Sequence, residues 1–266
     1  LDDREPHLFS IPLAGGETTA ITRGSGYWLS KQEYSTSSYD ISPDGTEVAF
    51  VADRDRSGID PNDDIIVIPA CGCKPARNLN ADSIADESNP VYSPDGRYLA
   101  YSQKRTPRFY ADTQRLMLLD RTGGTTRGLT GQWDRSADGL VWASDSKSIY
   151  GQIDDAATSR IYRFALTGGA PRAVTGASSF SGLEVTGKVA IALRQSFSEP
   201  AALVRLDLAK GAITKLSDFN GGALASLAMG KVESVTYKGA RGDPIQMWVI
   251  YPPGFDPAKQ YPVYML

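Results

Sequence analysis

Long hydrophobic runs are missing from this chain: no stretch approaches the roughly 20 apolar residues of a membrane-spanning helix. An excess of charge is missing as well. Lys and Arg number 28 against 31 Asp and Glu, interspersed to a net charge of −3, so neither nucleic acid nor an anionic membrane surface has an electrostatic claim as partner. No basic stripe with interleaved aromatics argues otherwise. Cysteine is scarce: Cys71 and Cys73 flank Gly72 in a predicted turn. A disulfide across so short a span is expected to be strained, and a metal site would need two further ligands that no Cys/His cluster supplies. The pair reads as small turn residues without function, and no metal or other cofactor is expected. Histidine is rarer still, with His7 alone, and no G-x-S-x-G occurs. Ser-His-Asp catalysis needs three converging groups plus donors for the oxyanion, so these residues are not expected to carry it. His7 reads as an ordinary strand residue. No secretory leader is visible, but the chain opens on Leu1 rather than Met. The compartment therefore stays open, with periplasm or secretion read ahead of the cytoplasm.

What the chain does have is a repeated phrase. Ser42-Pro43-Asp44-Gly45 precedes the apolar run Val48-Ala49-Phe50, and Ser93-Pro94-Asp95-Gly96 precedes Tyr98-Leu99-Ala100-Tyr101. A worn copy, Ser144-Asp145-Ser146-Lys147, precedes Ser148-Ile149-Tyr150. Each residue suits one slot of a type I turn: Ser bonds to backbone, Pro pre-sets φ, and Gly relaxes the last position. A turn-plus-strand unit recurring at roughly 40 to 50 residues marks a blade of a β-propeller. Later in each unit a third strand follows (Ile65–Ile68, Leu116–Leu119, Ile161–Phe164, Leu203–Leu206), then a Gly-containing turn and a fourth strand. The predicted fold is all-β, a propeller of four-stranded blades. Half a blade spans about 1–24, clear blades span 38–80, 89–130 and 138–175, and a blade without the phrase spans 180–217. Propellers close with about 4 to 8 blades, so four and a half of them predict an incomplete propeller, over residues 1–231 with a linker at Ala223–Ala228.

The pattern then changes to two strands, Glu233–Tyr237 and Ile245–Ile250, followed by Tyr251-Pro252-Pro253-Gly254-Phe255 and the apolar run Tyr261-Pro262-Val263-Tyr264-Met265-Leu266. That run is expected to be a strand. An unfinished apolar strand invites aggregation, so the end is read as a cut. Blades with Ser-Pro-Asp-Gly turns leading into this junction resemble serine peptidases of the prolyl oligopeptidase family, in its acylaminoacyl-peptidase and type-5 dipeptidyl-peptidase branch. The resemblance covers nearly the whole chain. It implies that residues 232–266 begin an α/β-hydrolase domain, that the propeller limits access to short peptides, and that the catalytic residues follow Leu266. The implied partners are short peptide substrates and the chain's own hydrolase domain. Oligomeric state is left open, a homo-oligomer included.

Two further segments carry chemistry-bearing residues. Asp60-Pro61-Asn62-Asp63-Asp64 has the opening of a calcium loop, but Ile65 and Cys71 stand where Gly and Glu are needed, so it reads as a solvated acidic loop. The long connection Lys104–Asp112 is basic and aromatic where other blades turn tightly. In the resembling branch the matching loop often carries an Arg, an aromatic, an acid and an Asp; Arg105, Phe109 and Asp112 match, with Tyr110 in the acid's place. Arg105 or Arg108 is thus the candidate for holding a peptide carbonyl or carboxylate, with Phe109 or Tyr110 packing on a side chain. The rival to the peptidase reading is a non-enzymatic TolB-like propeller serving as a protein-interaction scaffold, which accounts for the blades but not for the strand at Val232–Tyr237.

Overall fold

The computed structural model describes residues 5–29, 38–57, 62–107, 109 and 111–265. Its backbone bonds go almost wholly into antiparallel ladders. A short pair, β1 (Phe9–Ser10) with β2 (Thr19–Ala20), comes first. Four four-stranded sheets follow, each made of strands consecutive in sequence. They are β3 (Tyr39–Ile41) to β6 (Arg77–Asn78) through β4 (Glu47–Ala52) and β5 (Asp64–Pro69); β7 (Glu87–Tyr92), β8 (Tyr98–Gln103), β9 (Arg115–Asp120) and β10 (Thr125–Gly128); β11 (Val141–Trp142), β12 (Ser148–Asp155), β13 (Thr158–Ala165) and β14 (Arg172–Ala173); and β15 (Ser179–Thr186), β16 (Val189–Ser196), β17 (Glu199–Asp207) and β18 (Ile213–Lys215). This is the propeller-type, nearly all-sheet architecture that the repeat predicts.

Side-chain alternation explains why the sheets stack. On β4, Val48, Phe50 and Ala52 point one way, into a cluster with Ile21, Ile66 and Ile68. Ala49, between them, points the other way, into a cluster with Ile65, Val67, Tyr92, Leu99 and Tyr101. The next sheet repeats the split: Leu99 and Tyr101 face backwards, while Ala100 joins Leu116, Leu118, Trp142, Ile149 and Phe164 in front. Tyr150 and Ile161 then pack forwards on Phe180, Leu183, Ala190 and Leu206. Middle strands are therefore buried on both faces, which is why β4 and β5 read as apolar runs rather than alternating ones. Each fully buried Phe, Leu or Ile contributes about 1.5–3 kcal/mol relative to exposure.

The repeated phrase forms the turn it predicts. Gly45 N–H donates to Ser42 O (2.8 Å) and Gly96 N–H to Ser93 O (2.8 Å), with both glycines at φ 70°. The Asp fixes the turn from inside: Asp44 Oδ1 accepts Ser42 Oγ–H (2.7 Å), Thr46 N–H (3.1 Å) and Thr46 Oγ1–H (2.9 Å). Led by the Ser42 bond, these donors hold the Asp44 carboxyl down to about 2. In the third sheet the register places Ala143, not Ser144, at the first slot, and Ser146 takes the glycine's place at φ 56°. The displaced Ser144 and the odd Ser146 bond between sheets instead: Asp95 N–H donates to Ser146 Oγ (3.0 Å), and Gly187 N–H to Ser144 Oγ (2.6 Å).

Two expectations need correction. Cys71 and Cys73 are joined in a disulfide, with Cα atoms 5.2 Å apart. Gly72, at φ 61°, folds the chain back on itself and brings the two side chains together. Tyr261–Met265 form no strand, because no ladder partner lies beside them among the described residues; Val263, Tyr264 and Met265 are 88%, 89% and 94% exposed. After a five-residue helix α1 (Gly221–Ala225), β19 (Val232–Lys238) and β20 (Pro244–Ile250) form a hairpin, in register from Val232↔Ile250 to Lys238↔Pro244.

Candidate functional site

Up-and-down connectivity sorts the loops by end. The phrase turns (first to second strand) and the Gly turns (third to fourth) lie at one end of each sheet. The second-to-third connections lie at the other end. The Lys104–Asp112 loop joins β8 to β9 and so belongs to this second end. The β19–β20 hairpin sits there too: Gln246 Nε2 donates to Ala156 O (3.2 Å) at the β12–β13 turn, and Trp248 packs on Phe197 (5.1 Å) at the β16–β17 turn.

Asp112 is the organiser of the loop. Its Oδ2 accepts the backbone N–H of Arg105 (2.7 Å) and Thr106 (2.5 Å), and Oδ1 accepts that of Thr113 (2.8 Å). Partial desolvation raises its pKa, but the Thr106, Arg105 and Thr113 donors outweigh that and hold the carboxyl below its ordinary value. Arg105 reaches sideways to the loop before β11: Nη2 donates to Gly131 O (2.8 Å), with longer contacts to Trp133 O and Gln132 Oε1, both 3.5 Å. Phe109 is half-exposed at the tip. The structure therefore brings Arg105, Phe109 and Asp112 together; Arg108 and Tyr110 lie outside the described residues. His7 is far from such chemistry, its Nδ1 meeting Thr22 Oγ1 (3.2 Å). Of the acidic loop, Asp60 and Pro61 lie outside the described residues. No group of three or more metal-ligating side chains occurs among the described ones.

Two charged clusters at this end are invisible in the sequence. Beyond the Gly131–Trp133 turn, Asp155 accepts Tyr162 Oη–H (2.7 Å), Arg160 Nη1–H (2.8 Å) and Arg135 Nη2–H (3.2 Å), and Trp133 packs on Tyr162 (5.2 Å). The Tyr162 bond leads in holding the Asp155 carboxyl low. At the root of the loop, Glu87 is fully buried, its Oε1 accepting from Gln103 Nε2 (2.7 Å) and Ser83 Oγ (2.8 Å). Its Oε2 has no donor, and the Asp64 carboxylate lies beside it. A carboxylate pair has no proton to share unless one member is neutral. Burial, with Asp64 adding to it, pushes Glu87 up to about 8 even against the Gln103 and Ser83 bonds. A proton on Oε2 then donates to Asp64, which also accepts from Asn78 Nδ2 (2.5 Å) and Asn62 Nδ2 (3.2 Å). The sequence signal for both clusters is weak, since polar residues at strand ends are ordinary.

No protein-family model matches the chain. Dipeptidyl-peptidase 5 of Porphyromonas gingivalis is 27% identical over 266 residues, which is 97% of this chain and 39% of that protein. The chain thus spans about two fifths of the length of this curated relative. Among solved structures, a puromycin-hydrolysing peptidase of Mycobacterium tuberculosis aligns with a TM-score of 0.53 at 19% identity, over all of this chain and 50% of that one. A putative TolB of Agrobacterium tumefaciens aligns with a TM-score of 0.53 at 19% identity, over 80% of this chain and 82% of that one. Both structural likenesses speak for the fold.

Proposed function

Because the chain belongs with the dipeptidyl-peptidase 5 relatives in the prolyl oligopeptidase family, we propose that it is the propeller part of a serine peptidase releasing short pieces, dipeptides or acylated residues, from peptide N-termini. The carrying observation is the relation to dipeptidyl-peptidase 5 over 97% of the chain. It extends through β19 and β20, which a propeller-only scaffold does not need. On this reading residues 1–231 form the propeller and 232–266 open the α/β-hydrolase domain. The catalytic Ser, Asp and His belong to that domain. With one histidine and no G-x-S-x-G, the 266 residues alone hydrolyse no peptide.

The propeller's part is size selection and positioning. The Lys104–Asp112 loop shares its end of the sheets with the β19–β20 hairpin, so a peptide bound between the two would meet Arg105. That guanidinium is anchored on one side by Gly131 O and keeps further N–H groups for a peptide carbonyl or carboxylate. Phe109, and in this reading Tyr110, supply apolar contact, with Arg108 as a second cation. The experiment is hydrolysis of di-, tri- and tetrapeptide substrates by the full-length protein carrying Arg105→Ala or Phe109→Ala. Loss of one charge-assisted hydrogen bond predicts a fall in kcat/KM of about 10-fold or more for Arg105→Ala. An unchanged kcat/KM at every peptide length for both variants would remove the assignment.

A further inference from the structure

The opposite end of the sheets, away from the Arg105 loop, holds an open groove of about 300 Å³ between the third and fourth sheets. Two turns and one strand pair bring four cations to it: Arg163 and Arg172 of β13 and β14, Lys188 of the β15–β16 turn, and Lys210 of the β17–β18 turn. None of the four has a side-chain hydrogen bond or ion pair among the described residues. Arg163 and Arg172 stand directly opposite each other in the β13–β14 register, an arrangement in which like charges destabilise a ladder. One carboxylate lines the groove, that of Asp145, and its Oδ1 is engaged by Lys147 N–H (3.0 Å). The neighbouring Asp207 is engaged by the backbone N–H groups of Ala209 (2.9 Å) and Lys210 (3.0 Å). Behind the cations, Ser148 and Tyr150 share one face of β12 and line the groove, and neither hydroxyl has a partner among the described residues.

We infer that this groove binds a multiply charged oxyanion of the phosphate or polycarboxylate class. An anion bridging the Arg163 and Arg172 forks turns a repulsive pair into two charge-assisted contacts, and Lys188 and Lys210 close over it as point charges. The Ser148 and Tyr150 hydroxyls supply neutral donors to the remaining oxygens. Four cations against the Asp145 and Asp207 carboxylates leave about two positive charges, which is why the ligand carries more than one negative charge.

The test is calorimetric titration of the full-length protein with pyrophosphate, inorganic phosphate and citrate at low ionic strength. Saturable binding at one site is expected, with a Kd of about 1 mM or tighter for pyrophosphate or citrate, weakening as salt is added. Tighter pyrophosphate assigns a phosphate ligand; tighter citrate assigns a polycarboxylate. Arg163→Gln with Arg172→Gln should weaken binding at least ten-fold, and without anion should raise the unfolding midpoint by relieving the opposed charges. Arg205→Gln, an exposed cation outside the groove, should leave binding unchanged. Absence of saturable binding by all three anions, or an equal loss in Arg205→Gln, would overturn the inference.

Discussion

Replacing Glu87 with Gln probes the most heavily buried acid among the described residues. Its folded pKa of about 8 stands against 4.5 for an ordinary glutamate. Between those values the unfolded chain has lost the proton and the folded one keeps it. The unfolded state therefore binds fewer protons, and stability falls as pH rises, by about 1.4 kcal/mol per unit. Integrated over the window, the pair Glu87–Asp64 removes about 3–5 kcal/mol by pH 8, and the decline flattens above that. Asp63, raised to about 6 by burial and then by Asp86 and Asp53, adds to the decline in its lower part. The carboxyl held low by the first turn, Asp44 at about 2, acts only on the acid side and does not oppose it here. A glutamine side chain offers the same geometry without the titration: its carbonyl accepts from Ser83 and Gln103, and its amide donates to Asp64. Urea unfolding at pH 5, 6, 7 and 8, at constant ionic strength, reads the slope directly. Glu87→Gln should be the more stable protein at pH 8 and should lose most of the wild-type decline. A wild-type stability that holds level or rises from pH 5 to 8, or a variant with the wild-type slope, would refute the reasoning.

Two other perturbations test the packing and a turn. Phe50 is fully buried between β1–β2 and the first four-stranded sheet, so Phe50→Ala should cost about 3–5 kcal/mol in denaturant unfolding; a loss under about 1 kcal/mol would mean that the two sheets do not pack as described. Ala156 and Ala157 turn the β12–β13 hairpin at φ 49° and 55°, a left-handed pair that suits Asn-Gly. Ala156→Asn with Ala157→Gly should therefore stabilise by about 1 kcal/mol, seen as a higher unfolding midpoint, and a lower midpoint would contradict the turn geometry.

The turns are legible because their bonds are local. Ser42, Asp44, Gly45 and Thr46 satisfy one another within one short stretch, so spacing alone carries the geometry. The middle strands are legible because burial on both faces leaves apolar runs such as Ile65–Ile68. The first strands of the sheets are harder to read. β7 is Glu-Ser-Asn-Pro-Val-Tyr, with an irregular register between Ser88 and Val91 where Asn89 takes φ 53°. Its membership in the sheet rests on pairing with β8, which no local pattern announces. The Cys71–Cys73 bond escapes a reading of spacing alone, because it is the left-handed Gly72 that makes the approach. In the candidate site, Arg105, Phe109 and Asp112 can be named from a resembling loop, but Asp112's service to backbone N–H groups cannot. Arg135 meets Asp155 across 20 positions of chain, and Arg160 joins them from the next strand. Only the folded sheet brings the three together.

The same contrast bears on how a loop can serve as a site at all. An excursion of about ten residues costs heavily in conformational entropy if only its tip is engaged. Here the root is held instead. Gln103 donates to Glu87 Oε1 (2.7 Å), Lys104 Nζ meets Asp86 Oδ2 (2.9 Å), and Arg115 Nη2 returns to Gln103 Oε1 (2.8 Å) and to Lys104 O (3.3 Å). Asp112 then clamps Arg105 and Thr106 from the far side of the loop. Both strands leaving the sheet are thereby tied to each other and to the buried Glu87 before the chain reaches Phe109. Arg105 consequently presents its guanidinium from a fixed base, while Phe109 stands half-exposed at the tip. Loss of the Glu87 proton would act first on Asp64, which receives it, while Gln103 keeps its bond to Oε1 at the start of the loop. The buried acid thus reaches the root of the candidate loop through Gln103, whose Oε1 also receives Arg115 Nη2.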